Sequence, residues 1–391
     1  MTRTEPGSGL ARRRLLTRTT AALLAAPLLA RAQPVATELV FSQVADFSAS
    51  RGALGRALRA GIQTAFAQAN EAGGVAGQRL RLVTRDDAYA PNDTVRLVRE
   101  ALAVDRPLAL IGTLGTANLA ELRRSGVIET GGVPLIAPYT GADSLREPVS
   151  RLIFHIRASY AQEVDAIVRY LSTIGAKFIA VFHENDAFGN FIYDAYAEAN
   201  RRHGTINVAR IRVERGQTDF RYAIEPLTRI DHSGVLVGTA GEPTVNFIRT
   251  ARGMGLRQHY LGLSVNDLPS IVAKAGAEAA RGFGQVQVVP DPGACKGQRI
   301  CAELIAQYER HGDRAVPLSP VVMEGFIAGR VVVEGLRRVR GRPTASALVT
   351  ALESFSPLDL GGYVLNFGPG QRNGSRYLDV GVINGRGQMV Y

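Results

Sequence analysis

Short apolar runs rich in β-branched residues alternate with longer amphipathic segments along almost the whole chain. Segments with helical spacing follow the first runs at 54–72, 92–104 and from about 116. Alternation of this kind is typical of parallel sheets that carry helices on both faces. The strand-like runs lie at 38–43, 80–85, 108–112 and 133–138, and then, after a restart, at 177–182, 206–213, 234–238, 259–263 and 282–289. Two series of this length predict an α/β protein with two doubly wound lobes.

The last third of the chain departs from this rhythm. Helical patterns follow one another near 297–311, 319–340 and 344–354, and a glycine-rich strand region occupies 361–391. A tail that supplies further helices and closing strands predicts that the chain passes between the lobes more than once. Hydrophobic residues make up 46% and charged residues 21% of the chain, which is typical of folded globular proteins rather than disordered ones.

The N-terminal segment has the features of an export signal. The basic run Arg12–Arg14 precedes an apolar stretch, Ala21–Leu29, and Ala30-Arg31-Ala32 forms a small-x-small cleavage site. We predict that residues 1–32 are a signal peptide cut after Ala32, and that the mature protein is soluble and periplasmic. The paired arginines resemble a twin-arginine signal, although ordinary secretory signals also contain such clusters.

The net charge of +11 is concentrated at the start of the chain. Residues 1–32 hold six arginines and one acid, so 40 basic and 34 acidic residues remain, a balance of +6. These remaining charges are scattered, which argues against a nucleic-acid-binding surface. The motifs of phosphate-binding loops, serine hydrolases and zinc proteases are missing, and the six histidines are isolated. We therefore expect no enzyme activity, no catalytic residues, no metal and no cofactor.

The two cysteines, Cys295 and Cys301, lie six positions apart where a loop meets a predicted helix. In an oxidising compartment this spacing favours a local disulfide over free thiols. A loop this short gains little stability from the cross-link, so the expected role is to pin the loop.

The stretch 111–118 is the first candidate for chemistry. It is a strand that ends in a glycine loop, with Thr116 placed as the N-cap of the next helix. The free amides and the dipole of a helix N-terminus form a binding site for an anion such as a carboxylate, although simple capping would use the same residue types. Ligands of open parallel sheets lie outside the carboxyl ends of the strands. Four further loops fall in such places: 138–141, 185–189, 239–242 and 264–267.

These residues together resemble a known family, the solute receptors of ABC transporters grouped with the leucine/isoleucine/valine-binding protein. The resemblance covers essentially all of 38–391. It is carried by the opening run FSQVADFSASRGALG, the signature NEAGGVAG, and the segments IGTLGT, GVPLIAPYTGA, FHENDAFGN, VLVGT and LGGYVLNFGPG. The resemblance implies a type I periplasmic-binding fold with three crossovers, a ligand held in the cleft, and hinge closure that presents the protein to a membrane permease.

The resemblance also implies roles for residues and boundaries for lobes. Thr116 and the loop Tyr139–Gly141 would hold a ligand carboxylate, and Phe188 would close from the second lobe. We expect lobe 1 to comprise 35–156 and 290–366, and lobe 2 to comprise 157–289 and 367–391, in a monomer. The candidate ligand-binding residues are Phe47, Gly115, Thr116, Tyr139, Thr140, Gly141, Phe188, Thr239, Ala240, Ser264 and Asn266.

Two departures from the family pattern bear on the ligand. Amino-acid-binding members place a carboxylate where this chain has Ser264, and an aromatic residue where it has Ala240. An unpaired ammonium in a closed cleft would cost several kcal/mol. One hypothesis is therefore a carboxylate ligand without an α-ammonium, such as an aromatic or branched aliphatic acid. The alternative is an apolar amino acid whose ammonium pairs with Asp186, Glu242 or Asp267. An alternative function is a periplasmic sensor that presents its ligand-bound state to a membrane receptor or kinase. The sequence does not separate it from an importer component, because both need the same closing lobes.

Overall fold

The computed structural model describes residues 38–49, 51–295 and 297–391. The predicted signal peptide and its cleavage site after Ala32 lie outside the described residues. None of the helices in the described part of the chain is long and apolar enough to cross a membrane.

The described chain alternates strands and helices through its first three quarters. The strands are β1 (Glu38–Ala45), β2 (Arg79–Asp86), β3 (Ala109–Ile111), β4 (Leu135–Ile136), β5 (Ile153–Phe154), β6 (Phe178–Glu184), β7 (Ile206–Val213), β8 (Gly234–Gly238), β9 (His259–Gly262), β10 (Phe283–Gln287), β11 (Leu358–Asp359), β12 (Val364–Leu365), β13 (Asp379–Ile383) and β14 (Met389–Val390). The helices are α1 (Gly52–Glu71), α2 (Pro91–Val104), α3 (Thr116–Ser125), α4 (Val127–Gly131), α5 (Tyr160–Thr173), α6 (Ala187–His203), α7 (Arg221–Ile224), α8 (Glu242–Gly253), α9 (Leu268–Ala275), α10 (Ala277–Ala280), α11 (Arg299–His311), α12 (Pro320–Arg338) and α13 (Ala345–Glu353).

Two separate sheets define two lobes. The first sheet has the order β2-β1-β3-β4-β5, and all of its pairings are parallel. The second has the order β14-β13-β10-β9-β8-β6-β7, in which β13 and β14 add an antiparallel edge to five parallel strands. Fully buried strands such as β8 read as continuous apolar runs, because helices cover both faces of a parallel sheet.

The last helices return to the first lobe. Helix α12 packs along α1, and both helices carry glycines at the contact. A Cβ atom on Gly61 would lie 2.0 Å from the carbonyl oxygen of Val322, and one on Gly325 would lie 2.2 Å from that of Leu58. Only glycine permits so close an approach of the two backbones. The long apolar pattern of 319–340 is thereby explained as a helix buried on most of its surface.

The chain passes between the lobes three times, in the segments 155–159, 288–298 and 366–378. Two doubly wound lobes joined by three crossovers form a type I periplasmic-binding fold, which confirms the predicted fold class. The predicted domain boundaries lie in these segments and remain a prediction about how the chain divides. Cys295 and Cys301 are bonded in the second segment, with their Cα atoms 6.3 Å apart.

Candidate functional site

A small cavity of about 20 Å³ lies where loops after the strands of the two sheets meet. A space of this size holds about one water molecule, so the cleft is closed. The cavity is lined by Arg51, Leu54, Tyr89, Leu114, Gly115, Thr116 and Tyr139 from the first lobe, and by Tyr160, Phe188, Ala240 and Val265 from the second. A groove of about 470 Å³ between Asp143 and Arg376 is open to solvent. A second pocket, of about 80 Å³, lies beside the small cavity and is lined by Arg51 together with Glu242, Asp267 and Lys274.

The glycine loop before α3 forms one wall of this cavity. Gly115, not Thr116, is the N-cap of α3, which corrects the sequence prediction by one position. Gly115 has a φ of 112°, and a Cβ atom there would lie 2.6 Å from the ring of Tyr89, so a residue with a side chain does not fit. Thr116 is the first helical residue, and its Oγ1 lies 2.8 Å from that of Thr140. Two hydroxyl groups and the first amides of α3 therefore lie where the sequence predicts an anion site, and anion binding there remains a prediction.

Four aromatic rings surround the rest of the cavity. Tyr160 and Phe188 meet edge to face with their centroids 5.2 Å apart, and Tyr89 and Tyr139 complete the set. The Tyr139 hydroxyl donates to the backbone carbonyl of Ser264 at 3.2 Å, a bond that joins the two lobes. Burial raises the pKa of all three phenols, so they are neutral donors at physiological pH. The cavity thus combines hydroxyl and amide groups at one end with an aromatic body.

Arg51 crosses the cleft to the second lobe. Its guanidinium pairs with the carboxylate of Glu184 at 2.5 Å and also donates to the carbonyl of Ala240. Its Cζ lies 5.1 Å from the centroid of the Tyr89 ring, a cation–π contact. Burial by itself lowers the pKa of Arg51, but the Glu184 carboxylate and other neighbours reverse this effect and leave it raised. Burial raises the pKa of Glu184, which Arg51 counteracts.

A second ionic cluster lies in the first crossover. Arg157 is completely buried, and its guanidinium lies 3.2 Å from Glu163 on α5 and 3.4 Å from Glu324 on α12. It also donates to the hydroxyl of Ser264. Burial raises the pKa of Glu324 to about 7, against the opposing effect of Arg157. The cluster connects both lobes at the hinge without bordering the cavity.

The structure brings five of the predicted ligand residues to the cavity wall. They are Gly115, Thr116, Tyr139, Phe188 and Ala240. Thr140 stands directly behind Thr116, and Gly141 lies so close to Tyr160 that a Cβ atom there would be 2.5 Å from its ring. Contact of any of these residues with a ligand remains a prediction.

Four predicted residues lie away from the cavity wall and have partners within the protein. The carboxamide of Asn266 bonds the backbone at three places, including the amide of Gly241 at 3.0 Å. The Thr239 hydroxyl lies 2.8 Å from that of Thr244. Ser264 takes part in the Arg157 cluster, and the ring of Phe47 packs under Arg59 at 5.2 Å.

The three acids considered as ammonium partners are engaged elsewhere. Asp186 and Asp267 are N-caps, accepting from the amides of Gly189 and Ser270. Glu242 is exposed and pairs with Lys274. The carboxylate that pairs with the cavity-lining Arg51 is that of Glu184, which the sequence analysis did not single out.

The comparisons with known proteins agree with this geometry. The profile of the family described as "Periplasmic binding protein" matches residues 42–387. The chain belongs to the periplasmic binding protein family. A crystal structure of a substrate-binding periplasmic protein from Ralstonia solanacearum is 33% identical and has a TM-score of 0.85, with 90% of this chain and 99% of that one covered.

The curated proteins that this chain resembles have lower sequence identity to it than the Ralstonia solanacearum protein has. Leu/Ile/Val-binding protein homolog 2 of Brucella abortus is 24% identical over 68% of this chain and 70% of its own length. An amino acid binding protein of Pseudomonas aeruginosa is 22% identical over 57% of this chain, and the match spans 60% of that protein. The resemblance to leucine/isoleucine/valine-binding proteins is confirmed.

Two solved structures of such binding proteins contain ligands. A branched-chain amino acid ABC transporter protein from Thermus thermophilus holds valine; it is 20% identical, with a TM-score of 0.81 over 90% of this chain and 95% of that one. A solute-binding protein from R. palustris holds benzoate; it is 18% identical, with a TM-score of 0.80 over 90% and 95% of the two chains. At these identities the likeness concerns the fold.

Sequence reasoning missed four polar residues at or beside the cavity: Tyr89, and three others that were missed for different reasons. Arg51 lies in the opening run FSQVADFSASRGALG but follows small residues that indicate no ligand chemistry, and Asp46 accepts a bond from its backbone amide at 2.7 Å. Tyr160 begins a helix whose capping box, rather than its first residue, is visible in the sequence. Glu184 ends a strand directly before the predicted loop 185–189, and this position was the one available signal.

Proposed function

We propose that this protein is the periplasmic substrate-binding component of an ABC importer, and that it traps a small carboxylic acid with an apolar, preferably aromatic, body. In this proposal it performs no chemistry, acts as a monomer and delivers its ligand to an inner-membrane permease. Closure of the two lobes around the ligand gives the permease a surface to recognise.

One observation carries the proposed ligand class. Among the described residues that line the cavity, Arg51 is the only charged one, and it is a cation. The remaining wall consists of four aromatic rings, aliphatic side chains, and the glycine loop with Thr116. An ammonium in such a cleft would have no anionic wall group to pair with, whereas a carboxylate would find hydroxyl and amide donors.

The two ligand-bound structures represent the two alternative classes of ligand. Valine carries both a carboxylate and an ammonium, whereas benzoate carries a carboxylate on an aromatic ring. The lining of this cavity supports the second kind of ligand. Ala240, where amino-acid-binding members have an aromatic residue, supports a bulkier ligand body than valine.

A thermal-shift screen tests this proposal. Mature protein, from Gln33 onward, is unfolded and refolded to remove any bound ligand, and is then mixed with matched pairs of compounds: L-phenylalanine with 3-phenylpropanoate, L-leucine with 4-methylpentanoate, and benzoate with benzamide. A ligand at about 100 times its dissociation constant adds about 2.7 kcal/mol, which shifts the melting temperature by some degrees.

We expect the acids to raise the melting temperature, and the amino acids and benzamide to leave it unchanged. Stabilisation by leucine or phenylalanine alone would contradict the proposed ligand class. A protein stabilised by no compound of this panel would contradict the proposed function as stated.

A further inference from the structure

We propose that Arg51 is the residue that recognises the ligand's carboxylate, and that Glu184 is an internal substitute which the ligand displaces from Arg51. This inference rests on the proposed function, because it concerns how the same cleft selects an acid. It assigns a binding role to an ion pair that no resemblance suggested.

The position of Arg51 supports this role. Its side chain is only 3% exposed although it lies on a loop at the edge of the cleft, and it lines the cavity together with Tyr89 and Thr116. Its backbone is fixed independently of its side chain, because the Asp46 carboxylate accepts bonds from the amides of Ala49 and Arg51 at 2.6 and 2.7 Å. The guanidinium is therefore presented to the cleft by a backbone that hydrogen bonds to Asp46 hold in place.

The chemistry of the guanidinium fits a ligand carboxylate. Arg carries five N–H donors in a planar fork that matches the two oxygens of a carboxylate. In the closed cleft the guanidinium donates to one carboxylate oxygen of Glu184 and to one carbonyl, both from the second lobe. A ligand acid offers the same kind of acceptor at the same place, next to the Thr116 hydroxyl and the aromatic rings.

The volume of the cavity indicates that the ion pair must rearrange. A space of about 20 Å³ does not admit a benzoate-sized molecule. The pair crosses the cleft from a loop of the first lobe to the last residue of β6 in the second, so separation of the lobes breaks it without disturbing either sheet. A ligand bound to Arg51 then restores a charge pair when the lobes close again.

Glu184 is suited to give up its partner. Its carboxylate is buried; burial raises its pKa and Arg51 lowers it, so loss of Arg51 shifts Glu184 towards its neutral, protonated form. The other charged groups that act on it are Asp186, which also raises its pKa, and Arg51. A carboxylate in this setting competes with the ligand instead of assisting it, since two carboxylates share one guanidinium.

The test compares four variants of the mature protein with the wild type. Arg51→Met and Glu184→Gln remove one partner each, and the double variant removes both, so that neither charge is left buried without a partner. Arg56→Met is the matched control, because it removes an exposed positive charge five residues farther along the chain, from a side chain that does not line the cavity. Calorimetry measures the affinities of benzoate, 3-phenylpropanoate and benzamide, and circular dichroism checks that each variant is folded.

We expect Arg51→Met and the double variant to bind the acids about 10- to 150-fold more weakly than the wild type. The double variant should also lose its preference for benzoate over benzamide, a change that a merely structural role would not produce. Glu184→Gln should bind the acids more tightly, because the competing carboxylate is gone. Arg56→Met should retain the wild-type affinities.

Two results would overturn the inference. One is a folded double variant that binds the acids as tightly as the wild type. The other is a loss of acid binding in Glu184→Gln as large as that in Arg51→Met. This would show that the ion pair stabilises the closed lobes and does not compete with the ligand. Failure of the proposed function is distinguishable from both, because the wild type itself would then bind none of the acids.

Discussion

Arg51 and Arg157 both join the two lobes through buried carboxylates, but their surroundings differ. Arg157 lies in a crossover of the chain, where the lobes stay connected, and contacts two carboxylates and a serine from both sides. Arg51 lies on a loop facing the cleft, pairs with a single carboxylate and borders the cavity. The difference indicates that burial of an ion pair does not itself mark a binding site. The structural feature that distinguishes Arg51 is its place in the wall of a cavity between the lobes.

The largest expected effect is a loss of stability on replacement of Arg157, which should exceed the loss on replacement of Arg51. Arg157→Met should lower the free energy of unfolding by about 3–5 kcal/mol, because Glu163 and Glu324 would be left in the interior without their cation. Urea denaturation measures the change. Arg151→Met, at a side chain that is 72% exposed, is the control and should change stability by no more than about 0.5 kcal/mol. The comparison fails if Arg157→Met is no more destabilising than Arg51→Met.

The Arg157 cluster should also make stability depend on pH. Burial raises the pKa of Glu324 from 4.5 to about 7, with Arg157 and Arg146 opposing and Glu163 adding to the rise. Between these values the folded state binds more protons than the unfolded state, so stability falls as pH rises from about 4.5 to about 7.

Glu324→Gln removes this contribution. The unfolding free energy of the variant, relative to that of the wild type, should therefore rise by roughly 2–3 kcal/mol between pH 5 and pH 8. Urea titrations at both pH values measure this relative change. An unchanged difference between variant and wild type would show that Glu324 does not titrate in this range.

A smaller effect compares the two threonine pairs behind the strand ends. Thr116 and Thr140 face each other at the cavity, and Thr239 and Thr244 do so at the same distance of 2.8 Å away from it. Thr116→Val should weaken acid binding by about 1–3 kcal/mol through loss of one hydrogen bond. Thr239→Val should leave the affinity unchanged. Calorimetry with benzoate tests both, and equal losses would place the anion site elsewhere.

The smallest expected effect concerns the aromatic wall. Phe188→Leu keeps an apolar side chain but removes the edge-to-face contact with Tyr160, so binding of 3-phenylpropanoate should weaken by about 0.5–1.5 kcal/mol. Binding of 4-methylpentanoate should change less. Phe191→Leu, whose ring lies farther from Tyr160 at 6.1 Å and does not line the cavity, is the control. Equal effects on both acids would argue against ring stacking in the site.

Local patterns were sufficient for most of the fold. The run 234–238 is the strand Gly234–Gly238, and 206–213 is Ile206–Val213. Strand β5 was not predicted, because two residues are too few to show a pattern. Strand β4 comprises only Leu135–Ile136 of the predicted strand 133–138. Strands this short owe their existence to pairing with their neighbours in the sheet, which is a tertiary property.

Part of the candidate site could likewise be predicted from the sequence, and part depends on the tertiary structure. Gly115, Thr116, Tyr139, Phe188 and Ala240 could be proposed from the sequence, since each follows a strand and the ends of parallel strands converge. The pairing of Arg51 with Glu184 joins residues 133 positions apart, and that of Arg157 with Glu324 joins residues from a crossover and a late helix. Charge pairs of this kind depend on distances of a few ångströms between side chains. Only the docking of one lobe on the other decides those distances, whereas the order of strands, loops and helices is already determined by the periodicity of apolar residues along the chain.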